Sequence, residues 1–99
     1  MKFHLRTPSG QEIVDAVDDN VDILIDVEDG RLFSATFFTI NNLSTLMRRY
    51  RASGECAAGK YVWAKDMIVV ESITRATLEV AIDELIRTGE IESCCTRLH

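Results

Sequence analysis

Ninety-nine residues, 46% apolar and 27% charged, make one globular domain spanning 1–99, which excludes both a disordered chain and a two-domain one. A net charge of −5 argues against nucleic acid as a partner, because phosphate binding needs clustered positive charge. No apolar run approaches the roughly 20 residues that cross a bilayer, so no membrane partner is expected.

The opening Met-Lys-Phe-His-Leu-Arg has no apolar stretch of the kind a secretory signal needs. With three cysteines, Cys56, Cys94 and Cys95, an odd number, the expectation is a cytoplasmic protein with reduced thiols. Phe3–Arg6 alternates as a short strand, and Thr7-Pro8-Ser9-Gly10 follows as a turn. Residues 12–17 fit a strand or a helical turn; their place between two breakers favours strand. The clearest strand is 21–27, with Val21, Ile23, Ile25 and Val27 on one face and Asp22 and Asp26 on the other. Asp29-Gly30 is read as a hairpin turn with positive φ at both positions, returning through a strand at 32–38.

A helix follows on the stripe Leu43, Leu46, Met47 and Tyr50, ending at Gly54. Residues 61–64 and 67–71 read as a second hairpin across Lys65-Asp66. The second helix carries Leu78, Ala81, Ile82, Leu85 and Ile86 and ends at Gly89; residues 90–95 then read as an edge strand. The helices superpose at an offset of 35 residues, with Thr39 and Thr74 as N-caps and Phe38 and Ile73 as the apolar staples before them. The fold class expected is therefore α+β: a mostly antiparallel sheet of hairpins with two amphipathic helices packed on one face; the overlay reads either as a ββα unit used twice or as two helices that share only generic caps and stripes.

The chemistry-bearing strings are weak. Gly54-Glu-Cys-Ala-Ala-Gly-Lys60 resembles a phosphate-binding loop, but Tyr61 stands where that loop needs a hydroxyl for magnesium, and the string leaves a helix instead of opening one. Cys56, Cys94, Cys95 and His99 lack zinc-ligand spacing, and no Ser, His and Asp signature is present. No catalytic, cofactor-binding or metal residue is assigned, and no cofactor is expected. Arg48, Arg49 and Arg51 suit the negative end of their helix. Phe37 and Phe38 must point to opposite faces of their strand.

Charge is segregated along the chain. Residues 1–30 hold eight acids and two bases, residues 31–65 one acid and six bases, and residues 66–99 seven acids and three bases. The acidic hairpin makes Asp18, Asp19, Asp22, Asp26 and Asp29 the candidate partner-binding residues, for a protein with a basic surface or for self-association. The functional expectation is a small non-catalytic protein-interaction module. In size, acidity and architecture the chain resembles small bacterial cytosolic proteins, including immunity-type inhibitors of toxins, a likeness that transfers no residue roles. The alternative is a small-ligand binder or enzyme with a pocket between sheet and helices.

Overall fold

In the computed structural model, which describes all 99 residues, the protein is an α+β domain built on a mostly antiparallel sheet. β1 (Phe3–Arg6), β2 (Asn20–Val27) and β3 (Leu32–Thr39) run antiparallel in chain order. Asp26 stands opposite Leu32, and the loop between them places Gly30 at φ +95, the left-handed position that a short hairpin loop needs. Asp29 keeps a negative φ, so the two-residue turn expected at Asp29-Gly30 is replaced by a longer loop. Along β2, Ile23, Ile25 and Val27 are buried while Asp22 is exposed and Leu24 and Asp26 are half-buried, the alternation of a pleated strand with one dry face.

From Thr39 the chain turns directly into α1 (Ile40–Ser53). The Thr39 hydroxyl accepts from the Asn42 amide at 3.1 Å, and Gly54 closes the helix at φ +87. α1 does not lie across the sheet. None of its apolar residues joins the main core, so the expectation that both helices pack on one face holds for only one of them. Eight residues of β3 and fourteen of α1 placed end to end reach about 47 Å, close to the molecule's 45 Å length. Its radius of gyration of 14.3 Å exceeds the about 13 Å usual for this chain length, the signature of a projecting arm.

At the tip of the arm, α2 (Glu55–Gly59) is a left-handed turn, with Cys56, Ala57 and Ala58 at φ 50, 52 and 57. It reverses the chain, and residues 60–66 return to the sheet. Val62, Ala64 and Asp66 are half-buried while Tyr61, Trp63 and Lys65 are exposed. The same alternation suggests a strand, but these residues belong to none. The second hairpin expected there does not form. Instead β4 (Met67–Val70) pairs parallel with β3, Thr36 opposite Met67. What recurs at the 35-residue offset is therefore one strand and one helix; the second strand of a doubled ββα unit is missing.

α3 (Arg75–Thr88) covers the sheet's dry face, where Leu78 and Ile82 are fully buried with Ile23, Ile25, Phe33 and Phe37. Residues 12–17 form neither strand nor helix. Ala16 alone makes a bridge, to Ile73, while Ile13 and Ala16 pack against the core. This bridge joins the chain before β2 to the chain after β4 at the end of the sheet from which β3 has departed as α1. Residues 90–95 likewise do not make a strand. Ile91–Cys94 is a helical turn, α4, and only Thr96–Arg97 pairs with β3, as β5. Cys95 is buried, Cys94 and Cys56 are partly so, and all three are free thiols. No helix is long and apolar enough to cross a membrane.

The α3 start gives a direct check. Thr74 accepts from the Thr77 amide at 3.0 Å, and Ile73 before it is 2% exposed. Thr74→Ala should lower stability by about 0.5–2 kcal/mol, and Thr74→Asp, which also caps, should be nearly neutral. Urea unfolding of the two variants checks this; equal losses would place the cap elsewhere.

Candidate functional site

The five candidate aspartates do not form one free ridge. Asp18, ahead of β2, is tied to the start of α1, accepting from Thr45 Oγ1 at 2.7 Å and Asn42 Nδ2 at 3.1 Å. The Thr45 hydroxyl, then the Asn42 amide, hold its carboxyl below the ordinary carboxylate range. Asp19 turns back on its own chain, its carboxylate accepting from the Asn20 amide. Asp29, in the hairpin loop, is held low by the Arg31 amide and pairs with Arg31 Nε at 2.8 Å. Asp26 pairs with Arg6 Nε at 2.8 Å across β1 and β2. Asp22 has no ion pair. Its Oδ1 accepts from Thr36 Oγ1 at 2.7 Å, from the residue directly opposite, and its Oδ2 takes no hydrogen bond.

Asp22 borders two depressions on the sheet face that α3 leaves open. One, of about 210 Å³, is lined by Pro8, Leu24, Ser34 and Thr36 with Asp22 and Asp66. The other, of about 330 Å³, is walled by the Thr7–Ser9 turn, Gln11, Asn20 and Val21, with Asp22 as its one charged residue. Pro8 and Asp22 belong to both, so Asp22 stands where they adjoin. Every charged group in this groove is a carboxylate.

Asp66 is the residue that the sequence reading missed as a site. It was legible only as half of a turn dipeptide. Its φ is +57, a left-handed conformation that aspartate tolerates better than most residues. Its carbonyl accepts from the Thr36 amide at 3.0 Å and its Oδ2 from the Thr96 hydroxyl, which holds the side chain at the groove wall. Asp66 Oδ1, like Asp22 Oδ2, has no partner within the protein.

Charge follows the architecture. The arm, residues 40–65, carries five bases and one acid, and the rest of the chain six bases and fifteen acids. Arg48, Arg49 and Arg51 all belong to the arm, and Trp63 is 70% exposed on it. The largest depression, about 600 Å³, runs along the outer flank of α3 beside Phe3 and is again acidic, with Glu79, Asp83 and Glu84. Between sheet and α3 the space is filled by side chains that are 0% exposed, Ile23, Phe33, Phe37, Leu78 and Ile82 among them, and the depressions lie on outer surfaces. Burial pushes the Cys95 thiol up to about 12, so it stays protonated at neutral pH. No three His, Cys, Asp or Glu side chains converge as a metal-binding group. No protein-family model, curated protein or solved structure matches this chain.

Proposed function

We propose that this protein is a non-catalytic binding module that receives a basic side chain of a protein partner in the groove between Asp22 and Asp66. The observation that supports this most directly is the pair of carboxylates, each with an oxygen unused by the protein, in a groove without any basic residue. At about 210 Å³ the groove is smaller than the roughly 300–1,000 Å³ typical of small-molecule sites, but a lysine or arginine head group fits it. Such a contact draws its specificity and association rate from charge more than from area. An immunity-type inhibitor of a basic toxin is one form that a module of this kind takes.

The test uses a lysine-rich peptide as probe and amide chemical shifts as the readout. Shifts should concentrate on Asp22, Leu24, Ser34, Thr36 and Asp66 and fade as salt rises. Asp22→Asn with Asp66→Asn should weaken binding about threefold to tenfold, as for two partly solvated ion pairs. Asparagine keeps the left-handed tolerance that position 66 needs, so the variant stays folded. A shift pattern centred on Glu79, Asp83 and Glu84, or spread evenly over all acids, overturns the assignment.

A further inference from the structure

Ion pairing divides the bases of this chain between body and arm. Of the six in the body, Arg6, Arg31, Arg75, Arg87 and Arg97 each hold an acid, and only Lys2 does not. All five on the arm, Arg48, Arg49, Arg51, Lys60 and Lys65, are exposed and hold none. The negative helix end accounts for Arg51, which lies in the last turn of α1, but its effect fades within that turn. Two large aromatic rings stand open among these bases, Tyr61 at 50% and Trp63 at 70% exposure. Burial alternates from Tyr61 to Lys65, so Tyr61, Trp63 and Lys65 share the solvent side of the return segment. Gly59 abuts α1 at the backbone of Met47 and Arg51, which sets Lys60 and Tyr61 beside the basic last turns of that helix.

We infer that the arm binds single-stranded nucleic acid, with bases stacked on Trp63 and Tyr61 and phosphates held by the five unpaired cations. The net charge of −5 opposes phosphate only where acids and bases are mixed, and clustering decides. Here α1 alone is about 21 Å long, more than twice the screening distance of about 8 Å at physiological salt, so the tip of the arm presents its own positive field. Tyr61 and Trp63 have Cα atoms at most about 7 Å apart, so adjacent bases of one strand reach both rings. Stacking on aromatic rings beside a cationic track is how sequence-tolerant single-strand binding works. An acidic protein segment satisfies the cations without supplying flat rings to stack on Tyr61 and Trp63. A duplex satisfies the cations while keeping its bases stacked on one another. The contact lies on the arm and the Asp22 groove on the sheet, so the two proposals stand or fall separately.

Trp63 is the only tryptophan, so its fluorescence reports on the arm directly. Titrating the full chain with an oligothymidylate of about ten nucleotides, within the usual site size, should quench it. The logarithm of the binding constant should fall against log salt with a slope of about −2 to −3.5, as for roughly three to five phosphates on a single strand. Arg51→Gln with Lys60→Gln should make that slope shallower by about 1.4. Trp63→Ala, followed by the anisotropy of a labelled strand, should bind about tenfold more weakly, and Trp63→Phe should recover part of the loss. All three positions are exposed, and circular dichroism checks that each variant is folded. The same strand held in a duplex, and oligoglutamate of equal charge, should each bind at least about tenfold more weakly than the free strand. Equal binding of oligoglutamate overturns the inference in favour of an acidic protein surface, and equal binding of the duplex overturns it by removing the role of stacking. So does a wild type that fails to bind the strand at low salt, or a Trp63→Ala protein that binds as tightly as the wild type.

Discussion

Phe37→Ala should cost about 3–5 kcal/mol of unfolding free energy, the range for removing a fully buried aromatic ring. Phe37 is 0% exposed and belongs to the cluster that joins the sheet to α3. On β3 it lies opposite Val21 on one side and Ile68 on the other. The ring therefore helps bind a local hairpin to a strand that arrives thirty residues later. A domain of this size holds about 5–15 kcal/mol in total, so the loss removes a large part of its stability. Val80→Ala, on the outer flank of α3 where Val80 is 72% exposed, should stay within about 0.5 kcal/mol. Urea midpoints of the two variants measure the difference, with an unchanged slope if the folded state keeps its extent. A loss below about 1 kcal/mol for Phe37→Ala would place the core elsewhere.

The second large effect is expected at Gly59, where the arm turns back. Gly59 has φ +79, and a Cβ there would sit 2.2 Å from the Met47 carbonyl oxygen and 2.9 Å from the Arg51 amide nitrogen. Both neighbours are backbone, so no rotamer change relieves the overlap. Gly59→Ala should therefore cost about 2–4 kcal/mol, combining the left-handed penalty with the clash, or release the return segment from α1 outright. Ala57→Gly, two residues earlier, should act in the opposite sense. Ala57 is exposed and held at φ 52, so glycine removes about 1 kcal/mol of backbone strain without losing packing. Thermal unfolding followed by circular dichroism, with Trp63 fluorescence reporting on the arm, distinguishes the two. If both changes destabilise alike, the turn is not left-handed.

Local chemistry was legible in the sequence and long-range pairing was not. The β2–β3 hairpin, both long helices, their threonine caps and their glycine ends are each determined by residues within a few positions of one another. Residues 61–64 show the limit. A segment outside a sheet and a strand within one can alternate in burial with the same period of two, and only tertiary contacts separate them. Residues 12–17 had a similar ambiguity, which was resolved by one bridge to Ile73, fifty-seven positions away from Ala16. Residues 90–95 were misread because Gly89 ends α3 without ending helical geometry, which resumes for one turn before β5. Of the groove, Asp22 could be found from strand alternation. Asp66 could not, because its place opposite Asp22 depends on the parallel pairing of β4 with β3. The ion pairs that occupy Asp26 and Asp29 also required the fold: Arg6 reaches Asp26 only through the register of β1 on β2.

The separation of charge between arm and body has a consequence before any contact is made. A molecule 45 Å long, with a basic projection and an acidic remainder, is an electric dipole. A charged surface coming within a Debye length, about 8 Å at physiological salt, exerts a torque on it as well as a pull. A basic partner turns the body toward itself and the arm away, so fewer encounters begin at the arm. An acidic surface meets the arm first, with Trp63 exposed upon it. Raising the salt shortens the reach of this torque, so that more encounters begin at random orientations.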